Sequence, residues 1–138
     1  MELTRRQMLV TSGAALASLA GLPAFASATD DMIAELTGGA SLGSGAITLD
    51  TPEIAENGNT VPVSVSAPGA KSITLYADGN PVPSVATFNF GPLNPSRSAS
   101  TRIRLARTQN VVAVAQMEDG SWQTAKAEVK VTIGGCGG

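Results

Sequence analysis

The sequence predicts an all-β protein: an immunoglobulin-like antiparallel β-sandwich with a short N-terminal helix and a flexible C-terminal glycine-rich arm. Two observations favour this fold class. About seven short segments alternate apolar and polar residues, and turn signals separate them every roughly 8–15 residues. The apolar residues are mainly Val, Ile, Leu and Ala, and β-branched residues such as Val and Ile are typical of strands.

The strand segments follow one another along the second and third thirds of the chain. They cover residues 47–49, 61–67, 72–77, 82–90, 98–105, 110–117 and 122–133. Pro83 predicts an edge strand or a bulge for the fourth segment, because proline cannot donate a hydrogen bond within a sheet. Alternate residues of the last segment are expected to face the core: Ala125, Ala127, Val129, Val131 and Ile133.

Three apolar features each have two interpretations. Segment 110–117 is nearly all Val and Ala, which fits a strand buried on both faces or part of a partner interface. Residues 30–36 have a helical pattern, and this helix either docks on a partner or forms a local flap. Trp122 is interpreted as a packing anchor, with a binding residue as the alternative.

Composition divides the chain into four parts. Residues 1–28 are predicted to be a twin-arginine signal peptide, since Arg5-Arg6 precede a weakly apolar run. Both Ala24-Phe25-Ala26 and Ala26-Ser27-Ala28 fit signal peptidase cleavage. A Sec signal or a membrane anchor is the alternative, but the run is short for a bilayer. Residues 29–45 are predicted as a short helix and linker, 46–133 as the β-sandwich domain, and 134–138 as the arm. Twin-arginine export predicts a periplasmic protein.

Composition also excludes several classes of protein. The chain has no histidine and one cysteine, so it holds no Ser-His-Asp or Cys-His couple, no histidine metal site and no internal disulfide. We therefore expect neither a metal nor a cofactor in this chain, and no independent enzyme. The net charge of −2 and the charged content of 14% favour neither a nucleic-acid nor a membrane partner.

The cysteine lies in a terminal glycine run, Gly134-Gly135-Cys136-Gly137-Gly138. Glycines carry no side chain that packs, and three residues extend a thiol up to roughly 10 Å from the domain. Such an arm suits entry into a narrow pocket. The alternative is a tail whose cysteine has no role, but a free thiol in an oxidising compartment pairs or oxidises readily.

The terminal pentapeptide, the twin-arginine signal and the small β-sandwich together resemble the SoxY family, the carrier subunits of the periplasmic Sox thiosulfate-oxidising system. The resemblance implies that Cys136 is the covalent attachment point for thiosulfate-derived S-thiosulfonate and persulfide intermediates. It implies that Gly134, Gly135, Gly137 and Gly138 supply arm flexibility and pocket access, and that the chain has no catalytic residue beyond the carrier thiol.

The same resemblance implies partners. They are a SoxZ-like β-sandwich subunit in a heterodimer, the c-type cytochrome SoxXA, the dimanganese hydrolase SoxB and a sulfur dehydrogenase. No charged residue close to Cys136 in the sequence lowers the thiol pKa from its ordinary value of about 8.5. We therefore expect the thiol to be activated inside the pocket of a partner enzyme.

Two other functions remain open from the sequence. A ubiquitin-like sulfur carrier also ends in Gly-Gly, but it uses its C-terminal carboxylate and has a large helix between strands. An exported β-sandwich module that uses Cys136 only for an interchain disulfide is the other alternative.

Arg102 and Arg104 share one face of a predicted strand. They either attract an anionic cargo or an acidic partner, or belong to an ordinary solvated strand face.

Overall fold

The computed structural model describes residues 28–133. The predicted signal peptide, apart from Ala28, and the predicted arm with Cys136 lie outside the described residues. One helix, α1 (Ala28–Thr37), precedes nine strands within this part of the chain. The strands are β1 (Leu42–Ser44), β2 (Thr48–Asp50), β3 (Ile54–Ala55), β4 (Val61–Ser66), β5 (Ala70–Ala77), β6 (Ser84–Asn89), β7 (Ser98–Ile103), β8 (Gln109–Met117) and β9 (Trp122–Val131).

The strands form two sheets, and this confirms the predicted β-sandwich. The larger sheet has the order β1-β9-β8-β5-β6, with β3 also paired to β9, and the smaller sheet has the order β2-β4-β7. Most neighbouring strands are antiparallel, as predicted. The two exceptions are β1 and β3, which pair in parallel with opposite ends of β9.

The core lies between the two sheets. Every second residue of β4 is buried there, and the alternation of the facing strands supplies the other side of the core. The largest fully buried side chains are Val61, Val63, Ile73, Leu75, Leu105, Val111, Val114 and Val129, of which Val114 lies on the opposite face of β8. Branched aliphatic residues fill the space that aromatic residues occupy in many sandwiches, as the composition predicts.

The outer face of the large sheet is covered by α1. Ile33 packs against Tyr76, Val112 and Val114, and the half-buried Trp122 packs against the same cluster. Strand β8 is therefore buried on both faces, which decides for the core rather than a partner interface. The helix packs on its own sheet, and Trp122 packs against the same cluster, as interpreted from the sequence. Docking of the helix on a partner stays a prediction.

The structure differs from the predicted elements at three places. The predicted linker 38–45 contains β1, and β3 forms where no strand is predicted. Both are too short to show a period-two pattern, and they form only because a distant strand, β9, offers them a free edge. The prediction that Ile133 faces the core is wrong, since β9 ends at Val131 and Ile133 is 67% exposed.

One end of the sandwich is fixed by side-chain hydrogen bonds between the loop after β5 and the connection before β8. The Asn80 amide donates to Arg104 O at 2.7 Å, and its Oδ1 accepts from Ala106 N and Gln109 Nε2, both at 2.9 Å. Gln109 Oε1 accepts from Gly79 N at 2.8 Å. An added Cβ at Gly79 would lie 2.8 Å from Gln109 Cβ, so this close approach requires glycine. The two loops consequently form one rigid unit.

Core burial predicts a large difference between two isoleucines. Ile73 is fully buried, whereas Ile54 is 56% exposed. We expect Ile73→Ala to lower the free energy of unfolding by about 2–5 kcal/mol, because it leaves a cavity between the sheets. Ile54→Ala is the matched control and should cost less than about 1 kcal/mol. Urea denaturation of both variants measures the difference, and equal midpoints would contradict this description of the core.

The Asn80 hydrogen bonds generate a second stability prediction. Asn80→Ala leaves Arg104 O and Ala106 N without their side-chain partner, and we expect a loss of about 1–3 kcal/mol. Asn89→Ala, at the exposed end of β6, is the control and should stay within about 0.5 kcal/mol of the parent chain. Thermal denaturation compares the two, and an Asn80→Ala midpoint equal to that of the control would mean that the loops are not held by this side chain.

Candidate functional site

The candidate attachment residue, Cys136, and its flanking Gly134, Gly135, Gly137 and Gly138 lie outside the described residues. The structure does describe the residue from which they continue, Ile133. The position of Ile133 therefore determines which part of the domain lies nearest to Cys136.

Backbone hydrogen bonds hold Ile133 in place. Gly58 N donates to Ile133 O at 2.8 Å, and Leu105 N donates to Gly58 O at 2.7 Å. Just before it, Thr132 N donates to Ala55 O at 3.1 Å. The root of the predicted arm is thus bonded to the loop between β3 and β4, and through Gly58 to the connection that follows β7.

Sheet pairing brings further loops to the same end of the sandwich. Antiparallel pairing places Val129 of β9 opposite Gln109, the first residue of β8, and Ala77 of β5 opposite Val111. The end of β9, the end of β5 and the start of β8 therefore lie together. We call this the arm-bearing end, formed by residues 53–60, 78–83 and 104–108 around Ile133.

The two predicted arginines lie at or beside this end. Arg104 directly precedes Leu105, whose amide belongs to the hydrogen-bonded chain that reaches Ile133. Arg102 lies opposite Pro62, near the start of β4, on the outer face of the small sheet. Both side chains are exposed, in agreement with their predicted outward orientation.

The sequence did not single out Arg107 or the two glutamates at this end. Arg107 is exposed and donates from Nε to Gly79 O at 2.9 Å. Glu53 and Glu56 are exposed on either side of β3, where Glu53 O accepts from Lys130 N and Glu56 O accepts from Thr132 Oγ1. Arginines and glutamates thus flank Ile133 from different loops. No local motif marks them, because only the fold brings these loops together.

The titratable groups whose pKa the structure shifts lie elsewhere. Burial raises the pKa of Tyr76, which lies under α1. Hydrogen bonds from Ser121 lower the pKa of Asp119, which lies in the hairpin between β8 and β9, at the opposite end of the sandwich.

Within residues 28–133, no three acidic, histidine or cysteine side chains come together to hold a metal ion. In the same range no helix is long and apolar enough to cross a membrane.

Comparison with solved structures shows the fold in other proteins. The structure of the sulfur carrier protein SoxY from Chlorobium limicola f. thiosulfatophilum is 40% identical in sequence, with a TM-score of 0.66 over 75% of this chain and 90% of that one. A superoxide reductase (neelaredoxin) from Ignicoccus hospitalis has a TM-score of 0.56 at 19% identity, over 63% of this chain and 80% of that one. The likeness to the superoxide reductase, at 19% identity, shows the fold alone.

Comparison with curated protein sequences finds no match. The family model for the sulfur oxidation protein SoxY matches residues 33–136, from within α1 to the cysteine of the glycine run. This match covers most of the chain and agrees with the 40% identity to a solved SoxY. The chain therefore belongs to the SoxY family of sulfur carrier proteins.

Proposed function

We propose that this chain is a periplasmic carrier that holds thiosulfate-derived intermediates on Cys136 and presents them to partner enzymes during the oxidation of thiosulfate to sulfate. One observation carries the proposal: the SoxY family match extends to residue 136, and thus includes the one cysteine of the chain. Cysteine thiolate is a strong sulfur nucleophile, and no other side chain of this sequence offers that chemistry.

The loading step is an oxidation. A sulfur–sulfur bond forms between the Cys136 thiol and the outer sulfur of thiosulfate, which gives the S-thiosulfonate. One proton and two electrons leave, and the electrons pass to a c-type cytochrome. Hydrolysis then adds one water, releases sulfate and a proton, and leaves a persulfide on Cys136. Further oxidation and hydrolysis of the remaining sulfur regenerate the thiol.

The chain itself contributes reach and clearance to this cycle. Two residues, Gly134 and Gly135, separate Ile133 from Cys136, and covalent geometry limits this span of three residue steps to roughly 10 Å. Gly134, Gly135, Gly137 and Gly138 have no side chains, so a pocket can close around the thiol and its cargo. A general acid or base and a metal are supplied by the partners, which agrees with a sequence that lacks histidine. The chain therefore acts as a substrate-carrier subunit rather than an enzyme.

The partners and the location belong to the same proposal. A SoxZ-like β-sandwich subunit forms a heterodimer with this chain, and SoxXA, SoxB and a sulfur dehydrogenase act in turn on Cys136. The twin-arginine signal in residues 1–28 delivers the chain to the periplasm. Family membership supports Sox-system partners in general, and the signal pattern supports the location.

The fold argues against the ubiquitin-like alternative, but it does not separate the interchain-disulfide alternative from the carrier. The ubiquitin-like alternative expects a large helix between strands, whereas the one helix within residues 28–133 precedes every strand. The interchain-disulfide module keeps the same fold and the same cysteine, so experiment separates it from the carrier.

Replacing the thiol tests the carrier role. We expect Cys136→Ser to abolish thiosulfate-dependent reduction of cytochrome c by the reconstituted Sox system, because the variant forms no sulfur–sulfur bond with thiosulfate. The chain has no second cysteine for a matched variant, so mock-treated and thiol-alkylated parent carrier serve as the active and inactive controls. Retained activity in Cys136→Ser would reject the carrier role, whatever its effect on a disulfide-linked dimer.

Thiol titration tests where activation occurs. We expect reduced Cys136 in the free carrier to titrate near the ordinary thiol pKa of about 8.5, because no charged residue adjoins it in the sequence. The rate of alkylation against pH measures this value. A strongly depressed pKa in the absence of partners would show that the carrier activates its own thiol.

A further inference from the structure

We infer that the exposed arginines of the arm-bearing end, Arg102, Arg104 and Arg107, form a docking surface for acidic side chains around the active-site entrance of the enzymes that act on Cys136. We call these three residues the basic rim. The inference rests on the proposed function, and it assigns a surface of this chain to enzyme recognition.

The length of the chain beyond Ile133 restricts which surface meets an enzyme. Cys136 lies at most roughly 10 Å from Ile133, and an active site that encloses the thiol must approach the domain to within about that distance. The part of the domain that surrounds Ile133 therefore touches every enzyme that reaches the thiol. The opposite end of the sandwich, with the β8–β9 hairpin, lies outside this contact.

Hydrogen bonds place the basic rim beside that point. From Ile133 O the path passes through Gly58 to Leu105 N by bonds of 2.8 and 2.7 Å, and Arg104 is the next residue. Arg104 O accepts from the Asn80 amide, and Arg107 Nε donates to Gly79 O, so the backbone between them is fixed. Arg104 and Arg107 are thus presented on a hydrogen-bonded connection next to the arm root, and Arg102 lies in β7, just before that connection.

The charges of the basic rim are available for a partner. Within residues 28–133 the ion pair is Arg97–Glu118, which lies near the hairpin at the other end. No acidic residue occurs between positions 98 and 117, although the chain as a whole carries more acidic than basic residues. Three arginines within six positions therefore concentrate positive charge on one stretch of a net acidic protein, whereas Glu53, Glu56 and Asp78 place negative charge on the other segments of the same end. Exposed opposite charges steer encounters between proteins.

The glutamates at the same end make the charge on the docking surface asymmetric. Glu53 directly precedes β3 and Glu56 directly follows it, while Arg104 and Arg107 are carried by the connection between β7 and β8. An enzyme entrance with acidic groups on one side is attracted to the arginines and repelled by the glutamates. This asymmetry selects one rotation of the carrier about the arm, because like charges disfavour the wrong alignment.

Charge reversal tests the basic rim. We choose Arg104→Glu, because the side chain of Arg104 makes no hydrogen bond within residues 28–133, whereas that of Arg107 does. The matched control is Lys71→Glu, an exposed lysine at the start of β5, at the far end of the sandwich. Arg104→Gln, which removes the charge without reversing it, is the second variant. Circular dichroism and thermal denaturation check that each carrier folds.

The readout is thiosulfate-dependent cytochrome c reduction as the carrier concentration is varied. At low ionic strength we expect the KM for the carrier to rise about fivefold in Arg104→Glu, less in Arg104→Gln, and not in Lys71→Glu, with kcat unchanged. Added salt should remove the difference, because it screens exposed charges beyond roughly 10 Å at 0.1 M.

Several results would overturn the inference. A KM for Arg104→Glu equal to that of Lys71→Glu would mean an ordinary solvated face. A change in the KM for thiosulfate, with the KM for the carrier unchanged, would mean that the arginines act on the small anion. Failure of the proposed function itself is distinguishable, because the parent carrier would then sustain no turnover, or Cys136→Ser would retain it.

Discussion

The burial of β8 on both faces is the constraint on which the arrangement of this protein depends. One face packs against the small sheet and the other against α1. Its pairing with β9 extends over eight residue pairs, from Gln109 with Val129 to Gln116 with Trp122. A slip of one residue in β9 would turn the exposed, charged Lys126, Glu128 and Lys130 toward the core, so the register is firmly set. The end of β9, and with it the position of Ile133, follows from that register.

The fixed position of Ile133 and the short glycine segment beyond it have separate roles in the proposed function. Under the proposed function, the domain contributes an anchored starting point and a charged surface around it, while the residues beyond Ile133 contribute reach and one thiol. In the proposed cycle, recognition is therefore the task of the sandwich and reactivity is the task of the thiol inside each enzyme. The positive charge of Arg102, Arg104 and Arg107 fits the first task.

Sequence patterns predicted the long strands because their residues alternate. The Val and Ala content of β8 fitted double burial, with a partner interface as the alternative. The patterns did not predict β1 and β3, whose pairing with β9 spans most of the domain. The inward orientation expected for Ile133 extended the alternation past Val131, where the strand ends and the Gly58 hydrogen bond begins. The contacts of Asn80 join residues 24 to 29 positions apart, and no local pattern records such a pairing. Cys136 was predicted by elimination and by its glycine neighbours, whereas the loops around Ile133 could be identified only from the fold.

The most direct measurement is mass spectrometry of the mature carrier isolated from cells that oxidise thiosulfate. If Cys136 carries the sulfur, a fraction of the protein bears an added thiosulfonate or sulfur atom, confined to the C-terminal peptide and removed by a thiol reductant. The Cys136→Ser carrier should show no such mass. An adduct that persists in Cys136→Ser, such as a thiocarboxylate at Gly138, would contradict the carrier role of this cysteine. A parent carrier found only as an unmodified disulfide-linked dimer would contradict it as well.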